Sequence, residues 1–301
     1  MKIIKFAKNA KTKDIVLILG NFDGVHLGHQ KLIHEATKYA KKNKLPCFAM
    51  TFDPHPQEVV NPGRGLSLLT TLSERIALMR GLGVDGVIVK EFNKKISNLP
   101  AEKFIYDFLV EHLKVRKVFV GYDFAFGHNR SGTISVLKKL GGKYGFAVNA
   151  VKPVMTHGHL VKSSTIRDML TRGNFSKAVK LLGHPYTMTG KVVRGRGMGN
   201  KLGFPTANLK LADDKLVPAY GVYVGHVGER MCVINIGSRP TFAEFGFAIE
   251  VHIPDFHGNL RGKVLQVDIF KRLRDEIHFS DVEKLKQQIR KDIEKAKKLT
   301  R

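Results

Sequence analysis

The chain has 301 residues, 43% of them hydrophobic, and a formal charge of +25 at pH 7. That length accommodates two domains, and the apolar fraction excludes a disordered chain. No apolar run approaches the roughly 20 residues that span a bilayer, which excludes a helical membrane protein.

The opening residues are interrupted by Lys2, Lys5, Lys8, Lys11 and Lys13, and lack the hydrophobic block of a signal peptide. An apolar, β-rich run at 15–19 then leads into Gly20-Asn21-Phe22-Asp23-Gly24-Val25-His26-Leu27-Gly28-His29. A helical pattern over 30–43 follows, with Leu32, Ile33, Ala36 and Ala40 on one face. Strand, glycine-punctuated turn and helix start, in that order, suit a phosphate in an open α/β sheet. Turn N–H groups and the positive end of the helix face the ligand there. Gly20, Gly24 and Gly28 let the backbone approach a polyanion without Cβ clashes. His26 and His29 lie three apart, so their imidazoles occupy neighbouring positions of one face. Two such rings can donate to oxygens whose charge grows as an α,β-phosphate bond breaks. The plainer alternative is a pair of surface histidines after an ordinary βα turn. A metal is not expected here, because no third ligand stands at ligand spacing and Asp23 points from the wrong side of the turn.

Strand and helix patterns then alternate. A buried-strand run at 46–52 ends in Asp53-Pro54-His55-Pro56, whose prolines predict a rigid, non-helical exit. Helices are expected near 71–82, 101–113 and 133–144, and strands at 84–90, 115–120 and 146–151. Five strand candidates separated by helices predict a doubly wound, mainly parallel sheet. A closing helix follows Ser163-Ser164-Thr165, whose hydroxyls suit N-caps. Three stretches fall where strands end, at the ligand edge of such a sheet. Asp53 and His55 lie in the first. In the second, Gly121-Tyr122-Asp123-Phe124-Ala125-Phe126-Gly127, two aromatics can sandwich a flat ring that a carboxylate orients. In the third, Lys162, Ser163, Ser164 and Arg167 can hold a triphosphate at a helix start. Singly, each also reads as a turn, core aromatics or a cap.

From about Pro185 the helical periodicity stops. β-Branched runs at 187–193, 221–227, 231–236, 248–253 and 263–270 predict a closed β-barrel or sandwich, with Gly228-Glu229 as a hairpin step. One amphipathic helix ends the chain, with Val282, Leu285, Ile289 and Ile293 on one stripe. The domain boundary is placed near Gly183, giving 1–183 and 184–301. Gly195, Arg196, Gly197 and Lys201 belong to a glycine-rich, cationic flap suited to phosphates. Thr206 and Asn208 share one side of an extended segment, where a hydroxyl and an amide oxygen can share a Mg²⁺ ion. Glu250 and His252 share one face of a strand, which by itself also reads as a solvated barrel exterior. Cys47 and Cys232 are expected to be buried, reduced thiols of a cytoplasmic protein. Lys and Arg are spread along the whole chain, so the excess charge reads as solvated surface.

The Gly20–His29 segment resembles the HxGH signature of the nucleotidyltransferase superfamily, in its adenylyltransferase form. With the segments at 121–127 and 161–167, it resembles the amino-terminal module of prokaryotic FAD synthetases, which transfers AMP from ATP to FMN. The resemblance implies ATP contacts from Asn21, His26, His29, Ser163, Ser164 and Arg167, and a flavin side at Asp123. Lys162 stands where that family usually has Ser. The glycine-rich loop, Pro205-Thr206-Ala207-Asn208, Asn235-Ile236-Gly237 with Pro240-Thr241-Phe242, and Glu250-Val251-His252-Ile253 resemble the riboflavin kinase module. That implies a six-stranded antiparallel barrel, metal and phosphate at Thr206 and Asn208, and Glu250 as the base for the riboflavin 5′-hydroxyl. Arg261 replaces a more usual Tyr. The expected function is thus FMN from riboflavin and then FAD from FMN, with ATP as co-substrate and Mg²⁺ as metal. Expected partners are these small molecules, with no nucleic acid and no membrane, and the motifs do not specify an oligomeric state. The alternatives are a chain retaining only one of the two activities, or an RNA-binding, synthetase-like nucleotidyltransferase favoured by the basic charge and by Lys162.

Overall fold

The computed structural model describes residues 2–5, 14–195, 197–238 and 246–300; the Pro240-Thr241-Phe242 segment and Arg196 lie outside them. The chain divides into two compact units, Met1–Leu68 with Leu72–Ser163, and Leu69–Thr71 with Ser164–Arg301.

In the first unit the elements are β1 (Lys2–Lys5), β2 (Ile15–Leu19), α1 (Leu27–Lys42), β3 (Cys47–Asp53), α2 (Pro56–Val60), α3 (Leu72–Gly81), β4 (Gly86–Glu91), α4 (Lys94–Ser97), α5 (Ala101–Phe104), β5 (Val115–Gly121), α6 (Ile134–Tyr144), β6 (Ala147–Val151) and a hairpin of β7 (Met155–Thr156) and β8 (His159–Leu160). Six strands form one sheet in the order β1-β4-β3-β2-β5-β6, every neighbouring pair parallel. The doubly wound sheet is as expected, with one strand more. β1 escaped the sequence reading because four residues with lysines at both ends carry almost no periodicity.

β2 runs through the middle, buried along its whole length. Ile15, Leu17 and Leu19 face Phe104, Phe108, Leu109 and Leu137 on one side of the sheet. Val16 and Ile18 face Leu32, Ile33 and Ala36 of α1 and Met79 of α3 on the other. A strand buried on both faces reads as a continuous apolar run, as 15–19 does.

The helix expected over 101–113 becomes a π-helix from Ile105 to His112, with Leu113 N–H donated to Phe108 C=O. The wider turn gathers Phe104, Ile105, Phe108, Leu109 and Leu113 on the core side. The exit after Asp53 is non-helical at Pro54 and His55, as expected, and α2 starts at Pro56, whose first helical position needs no N–H. His55 caps that helix through Nδ1, which accepts from Gln57 N–H at 3.2 Å.

In the second unit come α7 (Ser163–Thr171, whose first residue belongs to the first unit), α8 (Phe175–Leu182), β9 (Tyr186–Val193), α9 (Met198–Leu202), β10 (Ala207–Lys210), β11 (Gly221–Val227), β12 (Arg230–Ser238), β13 (Phe247–His252), β14 (Val264–Arg274) and α10 (Val282–Leu299). The six strands close an antiparallel barrel in the order β10-β13-β12-β11-β14-β9. The expected hairpin is present: Val227 pairs Arg230 around Gly228, whose φ is +58°. Part of the expected flap is helical, as α9. The seryl hydroxyls after Lys162 are not caps either, since α7 already begins at Ser163.

The terminal helix buries the stripe expected from its sequence only in part: Leu285 and Ile289 are half-buried and Ile293 packs on the barrel. Val282 is exposed, and the inward residues are Asp292, Ile293 and Ala296, packed toward Val222, Val224 and Val233. Asp292 accepts from Arg274 at Nε (3.1 Å) and Nη2 (2.7 Å), and from Gln288 at 3.0 Å. Periodicity counts apolar residues and so misses a charged one buried by a partner. Asp292→Ala is expected to lower stability by about 3–5 kcal/mol, the scale for breaking a buried ion pair. Urea unfolding checks this; a change within the surface-pair range, below about 1 kcal/mol, would mean that the pair is solvated.

Candidate active sites

In the first unit the site is built at the β2–α1 turn. The chain reverses through Phe22 (φ +54°), Gly24 (φ +84°) and Val25 (φ +37°), closed by Val25 N–H to Phe22 C=O at 3.0 Å. His26 is the N-cap of α1, with extended backbone, and its Nδ1 accepts from His29 N–H at 3.4 Å. A neutral imidazole accepting at Nδ1 carries its proton on Nε2, so that nitrogen is the donor left for a ligand. The His26 and His29 rings stack, with centroids 3.7 Å apart and planes within 13°. Gly28 makes room for this: a Cβ there would stand 3.1 Å from His26 Cε1.

His29 is half-buried, and its Nδ1 is enclosed without a hydrogen-bond partner among the described residues. Burial holds its pKa well below the ordinary histidine value, with the neighbouring His26 and Arg75 pushing the same way. At neutral pH it is therefore an uncharged imidazole. The ring of Phe22 is fully buried and meets His29 edge-on at 5.4 Å. Its side chain supports the histidine from the core side. Asp23 is buried too, and its carbonyl accepts from Ser163 Oγ at 2.8 Å.

The 121–127 segment does not form the expected ring sandwich. Phe126 lies in the core against Phe104, with ring centroids 5.9 Å apart. Phe124 stacks on it at 5.6 Å. The two aromatics pair with each other, so they cannot sandwich a ligand ring between them. Asp53 and Asp123 are exposed and Tyr122 is half-buried, whereas His55 is buried and occupied as the cap of α2. Lys162 Nζ lies 5.5 Å from the centre of the Tyr122 ring. The Tyr122 hydroxyl and then Asp123 raise its pKa, so the ammonium stays charged. Ser164 and Arg167 stand on α7, which the second unit holds.

In the barrel, strand register assembles the second site. Asn208 of β10 pairs Glu250 of β13, and Glu250 in turn pairs Asn235 of β12. Directly opposed residues share a face, so these three side chains form one polar row across three strands. Ile249, Val251, Ile234 and Ile236 alternate with them and are buried. The row is therefore on the outer face of the barrel wall, with Glu250 and Asn235 half-buried and Asn208 buried. β9 ends at Val193, opposite Asn208, so the glycine-rich loop leaves beside the row. A Cβ on Gly195 would stand 2.2 Å from Asn208 Nδ2, which restricts that position to glycine. Gly197 caps α9 with φ +72°, and Lys201 is exposed on it. His252 Nδ1 lies 2.8 Å from Pro205 C=O, anchoring the Thr206 segment to β13. Arg261 is exposed, with its N–H donated to Asn259.

Residues 8–165 match the FAD synthetase family and residues 182–300 the riboflavin kinase family. The bifunctional riboflavin kinase/FMN adenylyltransferase of Escherichia coli K12 is 38% identical, over 97% of this chain and 96% of its own. The chain belongs to the bifunctional riboflavin kinase/FMN adenylyltransferase family. It is a transferase with one domain of each kind. The Haemophilus influenzae member is 34% identical over 99% of this chain and 98% of its own. A crystal structure of a macrolide-efflux protein from Streptococcus pneumoniae is similar at TM-score 0.86 and 31% identity, covering 98% of both chains. Efflux is said of that protein; among the described residues here, no helix is long and apolar enough to cross a membrane.

Two residues of these sites carried no assigned role in the sequence reading. Asn235 belongs to the Asn235-Ile236-Gly237 motif, but only register puts it beside Glu250. Arg75, fully buried on α3 and acting on His29, has no local signal at all, because a Glu-Arg pair in a first helical turn reads as surface.

Proposed function

We propose that the chain makes FMN from riboflavin and ATP on its barrel, and FAD and pyrophosphate from FMN and ATP on its α/β unit. The observation that carries this reading is the coincidence, in one chain, of both family matches with the stacked His26–His29 pair and the Asn208–Glu250–Asn235 row. Residues 1–183 are assigned to adenylyl transfer and 184–301 to the kinase. The protein is placed in the cytoplasm, acting on small molecules, without a nucleic-acid or membrane partner.

For adenylyl transfer, an FMN phosphate oxygen forms a bond to the α-phosphorus of ATP as the bond to the bridging oxygen breaks and pyrophosphate leaves. The attacking phosphate is already ionised, so no enzyme nucleophile is needed. His26 and His29 donate to the oxygens that gain charge, beside the N–H groups at the start of α1. Asn21, the Gly20–Gly28 turn, Lys162 and Ser163 hold the triphosphate, and Asp53, Tyr122, Asp123 and Phe124 face the flavin. For the kinase, Glu250 takes the proton of the riboflavin 5′-hydroxyl as its oxygen bonds to the γ-phosphorus and ADP leaves. Gly195, Gly197 and Lys201 lie over the phosphates.

Thr206 and Asn208 fit a Mg²⁺ ion: both present hard oxygen donors, and the Gly195 backbone closes on Asn208 where a side chain would intrude. The ion would supply charge neutralisation on the ATP phosphates.

The pure protein incubated with riboflavin, ATP and Mg²⁺ is expected to yield FMN and then FAD on a chromatogram. No flavin product would overturn the reading, and FMN alone would reduce it to the kinase. Lys162→Ser is expected to raise the KM for ATP in FAD formation more than it lowers kcat. Unchanged kinetics would leave Lys162 as solvated surface packed on Tyr122.

A further inference from the structure

We propose that Arg75 is a positioning residue of the adenylyl-transfer site: through Thr51 it fixes the Asn21 carbonyl, and with it the turn that delivers His26 and His29. The proposal rests on adenylyl transfer taking place at those histidines.

The connection is continuous and buried. Arg75 Nη1 donates to Thr51 Oγ1 at 3.2 Å, and Thr51 Oγ1 donates to the Asn21 carbonyl at 3.0 Å. Thr51 is fully buried within β3, and Arg75 is 2% exposed. Asn21 opens the turn that runs through Phe22 and Val25, both with positive φ. Non-glycine residues hold that backbone region only when their surroundings impose it. The hydroxyl of Thr51 is one such tie, and the guanidinium orients it by occupying its lone pair. A buried guanidinium is costly, and an apolar residue would fill α3 more simply if packing were its only task.

The same cation has an electrostatic consequence. The groups acting on His29 are His26, from the start of α1, and Arg75, from α3; both disfavour a protonated His29 and add to its burial. Arg75 thus helps keep His29 an uncharged donor. Its loss moves the His29 titration to higher pH, because a positive neighbour that opposed protonation is gone.

The test uses the full chain with FMN, ATP and Mg²⁺, together with NMR titration of the His29 ring. Thr51→Val keeps the cation and removes the tie: kcat for FAD is expected to fall roughly tenfold, the lower end of what small misplacements cost, with the His29 titration unmoved. Arg75→Met is expected to lower kcat by roughly 10² and to move the titration to higher pH. Arg75→Lys is expected to restore the titration but not the rate. Riboflavin phosphorylation stays at the wild-type level in all three. Wild-type kcat in both Thr51→Val and Arg75→Lys, or an unmoved titration in a folded Arg75→Met, overturns the proposal. If Arg75→Met does not fold, the other two variants decide it. A wild-type chain that forms no FAD overturns the underlying reading instead, and the two failures are told apart by that control.

Discussion

His29→Ala is expected to slow FAD formation from FMN and ATP by roughly 10²–10³, the usual scale for losing one donor to a developing charge. Formation of FMN should be almost unchanged, because that chemistry is assigned to the barrel row at Glu250. The effect should fall on kcat, since the donor's interaction strengthens as charge builds on the leaving pyrophosphate. The substitution also opens space beside Phe22 and His26, which pack on the ring. Equal loss of both activities would therefore indicate misfolding. A pH consequence follows from the depressed pKa of His29. The unfolded chain binds this proton more readily, so the contribution of His29 to stability is complete above the ordinary histidine value of about 6.5. It is lost as pH falls through the folded value. His29→Ala should flatten that acid-side loss in unfolding experiments, whatever it does to the rate.

Glu250→Gln is the second large effect. A primary hydroxyl is a poor nucleophile, and a positioned base contributes roughly 10²–10⁴ in rate. Phosphoryl transfer through a loose transition state relies more on positioning and charge, which argues for the lower part of that range. Kinase turnover is accordingly expected to fall by about 10², with riboflavin affinity retained and FAD formation from supplied FMN intact. Glutamine keeps the shape and the hydrogen-bonding reach while removing the basic oxygen. The half-buried outer face of a barrel strand is also where an inert carboxylate would sit. Near-normal kinase turnover in Glu250→Gln would assign it to that surface. What argues against inertness is the row: Asn208, buried under the Gly195 backbone, and Asn235 flank it on both neighbouring strands. A solvated surface carboxylate has no need of two amide neighbours in register.

The sequence by itself determined the elements whose signals are local. The apolar run at β2 and the stripe of Leu32, Ile33, Ala36 and Ala40 on α1 specify a strand and a helix within a few residues. So does the Gly228-Glu229 step between β11 and β12, which needs only a positive φ at the glycine. The histidine pair was legible for the same reason, since a spacing of three after a glycine turn places two rings side by side wherever the helix lies. Only the tertiary structure decided the rest. Periodicity assigns a residue to a face but not a strand to a neighbour, so the Asn208–Glu250–Asn235 row appears only with the barrel's register. It cannot tell an aromatic that meets a ligand from one that fills the core, as Phe126 does. It ranks charged residues as solvent-facing, and so passes over Arg75 and Asp292, each buried because a partner from another element holds it there. Those partners lie on other elements, Thr51 on β3 and Arg274 on β14, and only packing brings them within hydrogen-bond reach.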